Sequence, residues 1–323
     1  MCANISEAMK LKLFTWVVSS LLLQGISPTF AVTTNVYSTQ FEAAQGYNIN
    51  LDLIGQAGWF GSGTGGNGLL SNAIPGQGQS AYIGFEAPNP TDDSLVVWRP
   101  IDFNAVAAAY PAVTFSTQMQ IQDSANGRYD IFRWSIYNTQ GNRLFSLDFD
   151  NDFLDIGYLL DGTNQVVFTT NKFVNATTYT LTVTMNFSSN RWSASLNNVV
   201  FATNQFITTA NAPLNLGDVD AVWLVNQISG TNAPGNNYMV FDNYTITAYM
   251  PPAQVQLMGR TGEGWSLLRV NGQSNSRWSL DATTNLANWT AIKTNVISGT
   301  FYDHVDTTSA GLPRRYYRAR LVP

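Results

Sequence analysis

Between Phe145 and Ile156 the chain reads F-S-L-D-F-D-N-D-F-L-D-I, which sets Asp148, Asp150, Asp152 and Asp155 within eight positions. Carboxylates this close together suit two kinds of chemistry, acid–base cleavage of a glycosidic bond and coordination of a hard cation. In an extended strand Ser146, Asp148 and Asp150 share one face, and Phe145, Leu147 and Phe149 share the other. The aromatic side is expected on the core and the aspartates toward a groove or solvent. Residues two apart on one face sit roughly 6.5–7 Å apart, which overlaps the separation used by two-carboxylate enzymes. Asp148 and Asp150 are therefore candidate ligand-contacting residues, with Asp152 and Asp155 in the turn that follows. Asp148-x-Asp150-x-Asp152 also imitates the start of an EF-hand loop. Phe153 stands where that loop needs glycine and Leu159 where it needs the bidentate glutamate, so an EF-hand is rejected.

Most other catalytic constellations lack parts. His304 is the only histidine and Cys2 the only cysteine in 323 residues. A His-based triad, a proton shuttle or a cysteine-ligated zinc has nothing to be built from in the body of the chain. His304, in F-Y-D-H-V-D, reads as an exposed turn residue. The first 31 residues read as an export signal: Lys10-Leu11-Lys12, an apolar run from Leu13 to Leu23, and Thr29-Phe30-Ala31 as a small-x-small cleavage site. Met9 offers an alternative start with a cleaner basic segment. The expected mature protein is thiol-free and secreted or held at the cell surface, with no membrane span after cleavage. Only 11% of residues are charged, while Asn, Thr, Ser and Gly fill the polar positions, a combination typical of secreted β-rich proteins.

The elements that would carry these side chains are strands. Thr114–Ile121, Tyr179–Met185 and Tyr238–Thr247 alternate apolar and polar residues with period two, and no long 3.6-residue period occurs. About a dozen strands in ~215 residues, without helices to cover a parallel sheet, predict an all-β fold: an antiparallel jelly-roll sandwich. Met250-Pro251-Pro252-Ala253 then interrupts the pattern. The expected division is a jelly-roll domain over 32–250, a linker over 251–254 and a second, smaller β-sandwich domain over 255–323. Charge agrees with that division: six Arg and Lys face sixteen Asp and Glu from Val32 to Pro251, and eight face four from Pro252 onward. The basic residues are scattered apart from Arg314, Arg315, Arg318 and Arg320, which read as a solvated edge strand. No nucleic-acid partner is expected.

Phe41-Glu42 in the opening strand, followed by Gly46, and Phe241-Asp242-Asn243 before an alternating last strand, resemble carbohydrate-binding modules and concanavalin A-like or laminin-G-like jelly rolls. The likeness extends to the hairpin of Thr182–Phe187 and Arg191–Asn197. It implies a glycan as partner. It also implies that Glu42 and Asp242, from first and last strands that commonly lie close together, are possible ligands of a structural calcium ion; ordinary strand-end carboxylates bonded to backbone amides are the alternative. Jelly-roll glucanases carry Glu-x-Asp-x-x-Glu on a strand. Here Asp148-Phe149-Asp150-Asn151-Asp152-Phe153 supplies no glutamate, and an alginate-lyase-like site would want a histidine in the groove. Trp59, in the glycine-rich loop Gly58–Gly68, is the candidate for stacking on a sugar ring. Trp98, Trp134, Trp192 and Trp223 lie in alternating strands and read as core.

Arg277–Thr290, Gly299–Asp303 and Pro313–Arg320 resemble a small C-terminal β-domain of exported bacterial proteins, with an aromatic-x-Leu-Glu-x-Ser-Thr-Asn-Leu-x-x-Trp-Thr pattern and a Tyr-Tyr-Arg-Ala ending. That resemblance implies an accessory or attachment module, with Trp278 and Trp289 in its core and Phe301, Tyr316 and Tyr317 completing it. The sequons at Asn175, Asn186, Asn243 and Asn288 are chance matches in such a context. Together these readings lead to an exported, non-catalytic protein that binds a carbohydrate or other polymer. A glycoside hydrolase or polysaccharide lyase with degenerate motifs, and a structural cell-surface protein, are the alternatives.

Overall fold

The computed structural model of the protein describes residues 33–225 and 234–322, so the expected export signal (1–31) lies outside the described residues. The chain opens with β1 (Thr33–Thr39), a 3-10 turn at Ala43–Gln45, β2 (Phe60–Ser62), β3 (Asn67–Ser71), β4 (Gln79–Gly84) and β5 (Ser94–Trp98). β6 (Ala112–Gln122), β7 (Ile131–Tyr137), β8 (Arg143–Asp150), β9 (Asp155–Leu160) and β10 (Val167–Lys172) follow. β11 (Tyr179–Asn186), β12 (Arg191–Leu196), β13 (Val199–Phe206), β14 (Asp218–Leu224) and β15 (Tyr238–Tyr249) complete the first two sheets. An eight-stranded sheet runs β13-β12-β11-β6-β15-β4-β3 with β1 also paired to β15; a seven-stranded sheet runs β10-β9-β8-β7-β14-β5-β2. Strand pairing is antiparallel throughout the described residues. The fold is the all-β antiparallel jelly-roll sandwich that the alternation predicted.

The two sheets enclose one apolar layer. Phe115, Leu181, Met185, Trp192 and Phe241 come from one side and Phe132, Trp134, Phe145, Leu147, Val219 and Trp223 from the other. Aromatic contacts lock the register: Phe145 and Trp192 stack at 4.2 Å with an interplanar angle of 1°, and buried Tyr244 donates its hydroxyl to the Val219 carbonyl across the sandwich at 3.0 Å. Truncating such a ring to alanine costs about 3–5 kcal/mol. β15 carries a bulge between Asp242 and Thr245, with Asn243 at φ 49°. The extra residue turns both Phe241 and Tyr244 inward.

After Pro251 and Pro252 come β16 (Gln254–Arg260), β17 (Ser266–Asn271), β18 (Arg277–Thr283), β19 (Thr290–Val296), β20 (Phe301–Asp306) and β21 (Tyr316–Leu321). They form two three-stranded sheets, β16-β17-β20 and β19-β18-β21, around a second core of Leu268, Val270, Trp278, Leu280, Ile297 and Ala319, to which Met250 and Ala253 also belong. β16 begins at Gln254, within the expected linker. Three readings of this region are corrected. His304 lies on β20, paired with Leu268 and half-buried, rather than in a turn. Phe301 is exposed beneath the Arg269 guanidinium at 3.7 Å. Trp289 is half-buried under Arg318 at 4.4 Å and is not part of the core. In both aromatic cases a cation supplies the cover that apolar neighbours were expected to give.

Candidate ligand-binding face

The inner residues of the seven-stranded sheet are fixed by the core, so pleat alternation sets what its outer face presents. On β14, Val219, Ala221 and Trp223 point inward, leaving Asp218, Asp220, Val222 and Leu224 outward. Register carries this face across the sheet. Val222 pairs with Arg133 on β7 and Asp220 with Ser135, Arg133 pairs with Asp148 and Ser135 with Ser146 on β8, and Asp148 pairs with Gly157 on β9. Toward the other edge Val222 pairs with Val96 on β5, which puts Trp98, two residues on, on the same outer surface. Gly61 in β2 faces inward, where an added Cβ would stand 2.2 Å from Ile54 Cδ1. Its neighbour Phe60 therefore faces out.

Asp148 is where the sequence placed it, on the outward side, but it is not a free carboxylate. It is only 4% exposed and is held bidentately by Arg133, Nε to Oδ1 at 2.6 Å and Nη2 to Oδ2 at 2.8 Å. Such a fork fixes both partners and takes up the lone pairs an acid–base or nucleophilic role would need. Asp150 spends its Oδ1 on the next turn, accepting from the Asp152 amide at 2.9 Å and the Phe153 amide at 3.4 Å. The pair is thus a braced strand and a turn cap. Asp155 opens β9 and is paired with Lys172 at 2.8 Å.

Trp59 is also corrected. Its indole is 1% exposed, packed among Phe41, Phe241 and Tyr244, with Nε1 donating to the Tyr47 hydroxyl at 2.9 Å. A ring closed on all sides cannot stack on a sugar. The glycines around it let the backbone turn tightly enough to drive the ring into the core. The aromatic pair at this margin of the face is Phe60, 53% exposed, and the half-buried Trp98, whose rings stack at 6.3 Å and 26°. At the opposite margin of the same face stands Phe168 on β10, 64% exposed and paired with Gly157.

Between these margins lies a sheltered polar floor that the sequence reading missed. Ser135 and Ser146 share a hydrogen bond at 2.9 Å. Asp218 and Asp220 share the outward face of β14, near enough for each carboxyl to act on the other. Burial first, and then the charge of Asp218, push the Asp220 carboxyl well above the usual range; Asp218 is also raised, mainly by burial. Both shifts favour the protonated carboxyl, which can donate a hydrogen bond as well as accept one. Burial, together with the charges of Asp220 and Asp218, also raises the half-buried Tyr137 phenol on β7. The signal available in the sequence was Asp218-Val219-Asp220-Ala221-Val222-Trp223, two acids in strict alternation with core residues.

The other acidic pair lies on the outer side of the eight-stranded sheet. Glu42 Oε1 accepts from the Gln79 amide at 3.1 Å, and the adjacent Ser80 hydroxyl donates to Asp242 Oδ2 at 3.1 Å. Gly78 leaves the space that Glu42 occupies, since a Cβ there would stand 2.0 Å from Oε1. Burial raises the Asp242 carboxyl to about 6, with hydrogen bonds from Asn243 and Ser80 opposing it and the Glu42 charge adding to it. The structure therefore brings Glu42 and Asp242 within electrostatic reach of one another. No ion pair to either is found among the described residues, and no group of three or more His, Cys, Asp or Glu there could hold a metal.

No family model matches the sequence, and no curated protein matches it. Among solved structures the chain is similar to the CBM2 module of the evolved Dit of Lactobacillus casei BL23 phage J-1, at 10% identity over 68% of this chain and 97% of that one, with a TM-score of 0.45. It is similar to a Bacillus subtilis protein of unknown function with a galectin-like fold, at 8% identity over 68% and 99%, with a TM-score of 0.45. It is also similar to a sialidase at 9% identity and a TM-score of 0.42, over 58% of this chain and 17% of the sialidase's length.

Proposed function

We propose that this is an exported, non-catalytic glycan-binding protein and that the outer face of the seven-stranded sheet is its binding surface. The observation that carries the reading is the half-exposed Trp98 ring, stacked with Phe60 beside a sheltered floor of fixed hydrogen-bonding groups. A sugar ring needs both parts: a flat apolar surface for its C–H face and preorganised polar groups for its hydroxyls. Arg133, held by Asp148, and Tyr137 are the polar side chains at the surface; Ser135, Ser146 and Asp148 position them from below. Trp98→Ala should weaken retardation of the purified protein in polysaccharide-containing gels about tenfold while leaving its melting temperature within a few degrees. Unchanged retardation would move the site off this face.

A hydrolytic reading has one feature in its favour, the raised carboxyls of Asp218 and Asp220 on neighbouring outward positions of β14. Both are largely buried, however, unlike the open carboxylates that flank the sugar in two-carboxylate glycosidases. Release of reducing sugar that is lost on Asp220→Asn would establish the enzyme instead.

We propose further that Glu42 and Asp242 hold a structural calcium ion. The donor set fits in kind: two carboxylates and the Ser80 hydroxyl, all oxygen, with no neighbouring cation competing for them. Neutral oxygens would have to complete the shell. The ion would tie the segment after β1 to β4 and β15, and its role would be structural. The C-terminal sheets would serve as an accessory or attachment module.

A further inference from the structure

Resting on the reading of the outer face as a glycan site, we infer that this face selects an uncharged polysaccharide chain, laid across the strands between the Phe60–Trp98 pair and Phe168, and excludes polyanionic chains. The first argument is the engagement of its cations. The charge of Arg133 is offset by Asp148 through two hydrogen bonds, which leaves its remaining N–H groups for neutral acceptors. Arg143, beside Tyr137, donates to the Thr163 carbonyl at 2.7 Å and the Leu160 carbonyl at 3.4 Å. Lys172 is shared between the Asp155 carboxylate and the Phe153 carbonyl, at 2.8 and 2.9 Å. Recognition of a uronate or sulfate favours a cation whose charge is not already offset; Arg133 and Lys172 are each paired with a carboxylate, and Arg143 is turned to backbone carbonyls.

The second argument is the sign of what remains. Asp150 adds a carboxylate to the same surface with no ion pair among the described residues, and the chain from Val32 to Pro251 carries six basic residues against sixteen acidic ones. A polyanion approaching this side meets repulsion, while a neutral polyhydroxylated chain meets donors and acceptors. The third argument is length. Trp98 and Phe168 stand on β5 and β10, five strand spacings apart, which is roughly 24 Å along the hydrogen-bonding direction. That span suits an oligosaccharide and is far longer than a single sugar ring.

The test is affinity electrophoresis of the full exported chain in gels containing xylan, galactomannan or hydroxyethylcellulose, and in gels containing alginate or polygalacturonate. Trp98→Ala and the more exposed Phe168→Ala are run alongside, with melting curves to show that both remain folded. The expected result is retardation by at least one neutral polymer and by neither acidic one. Each variant should weaken retardation about tenfold, and affinity for oligosaccharide fragments should rise with their length. Retardation by alginate or polygalacturonate that Trp98→Ala removes would overturn the selectivity while leaving the face as a glycan site. A preference for chitosan over the neutral polymers would overturn it in favour of a polycation. Silence toward all the polymers, with self-association in sedimentation that Phe168→Ala abolishes, would overturn both the selectivity and the binding function in favour of an interface between copies of the chain.

Discussion

The two outer faces of the sandwich are built from the same antiparallel pleat and have opposite characters. On the eight-stranded sheet, β12 and most of β11 alternate between buried and more exposed residues, and away from the Glu42–Asp242 pair and Arg191 the outward set is hydroxyl and amide: Thr114, Ser116 and Gln118 on β6, Thr180, Thr182 and Thr184 on β11, Ser193 and Ser195 on β12. On the seven-stranded sheet the central strands β8 and β14 are buried on both faces along most of their length, and the outward set contains Arg133, Asp148, Asp218 and Asp220. A wet strand face needs nothing beyond solubility, and short uncharged polar side chains supply it. A sheltered face that carries charge must have each charge braced or neutralised. The second arrangement adds nothing to folding that apolar residues could not add, and the proposed ligand-binding role would account for it.

The largest effect expected from this contrast is at Arg133. Arg133→Leu leaves the Asp148 carboxylate buried without its partner and should destabilise the protein by about 3–5 kcal/mol in urea unfolding. Replacing both, as Arg133→Leu with Asp148→Leu, should recover most of that loss, because the unpaired charge and not the missing contact is the cost. If the single variant unfolds like the native protein, the floor is solvated and the two faces do not differ as described.

Calcium sharpens the comparison from the other side. If Glu42 and Asp242 hold the ion, millimolar calcium should raise stability by about 2.7 kcal/mol at one hundred times its dissociation constant. Asp242→Asn should remove the increment, and Asp220→Asn, at the acid pair of the opposite face, should leave it intact. An increment that survives Asp242→Asn would take the ion away from this site.

What could be read in advance followed from how local each signal is. Strand period and core aromatics such as Trp134, Trp192 and Trp223 are local and were legible. Glu42 and Asp242 are two hundred residues apart, and only a resemblance that ties first to last strand could pair them. Asp148 and Asp150 were found by type and spacing, but their roles depend on Arg133 and on the backbone of the next turn, neither visible in their own segment. Trp59 and Trp98 were read the wrong way round. A glycine-rich loop suggested exposure for a ring that folds under the sandwich, and an alternating strand suggested burial for one that takes the outward phase. Alternation says that two faces exist; the core decides which is which.

Asp220→Asn should produce a smaller shift of defined sign. The folded-state pKa of Asp220 lies above its unfolded value, so the native protein holds this proton more tightly. The resulting stability is fully present below about pH 3.9 and is lost as pH rises through the raised value. Asparagine keeps a donor toward Asp218 and does not titrate. The variant should therefore match the native protein near pH 4 and melt roughly 2–4 °C higher near pH 8. Identical pH profiles would mean that Asp218 and Asp220 are not sheltered together.

The smallest effects lie at the neutral hydroxyls, and they divide by face. Ser146→Ala leaves the buried Ser135 hydroxyl without its partner and should cost about 1–2 kcal/mol; Ser135→Ala with Ser146→Ala should cost less than the two single losses added together. Thr182→Ala, on the wet face of β11, removes a hydroxyl that water can replace and should stay within about 0.5 kcal/mol. The two substitutions delete comparable chemistry from comparable strands, so the ratio of their costs measures how far each face is closed to water. A ratio near one would mean that the outward side of the seven-stranded sheet is as open as its counterpart, and that its charges are ordinary surface groups with no site to brace.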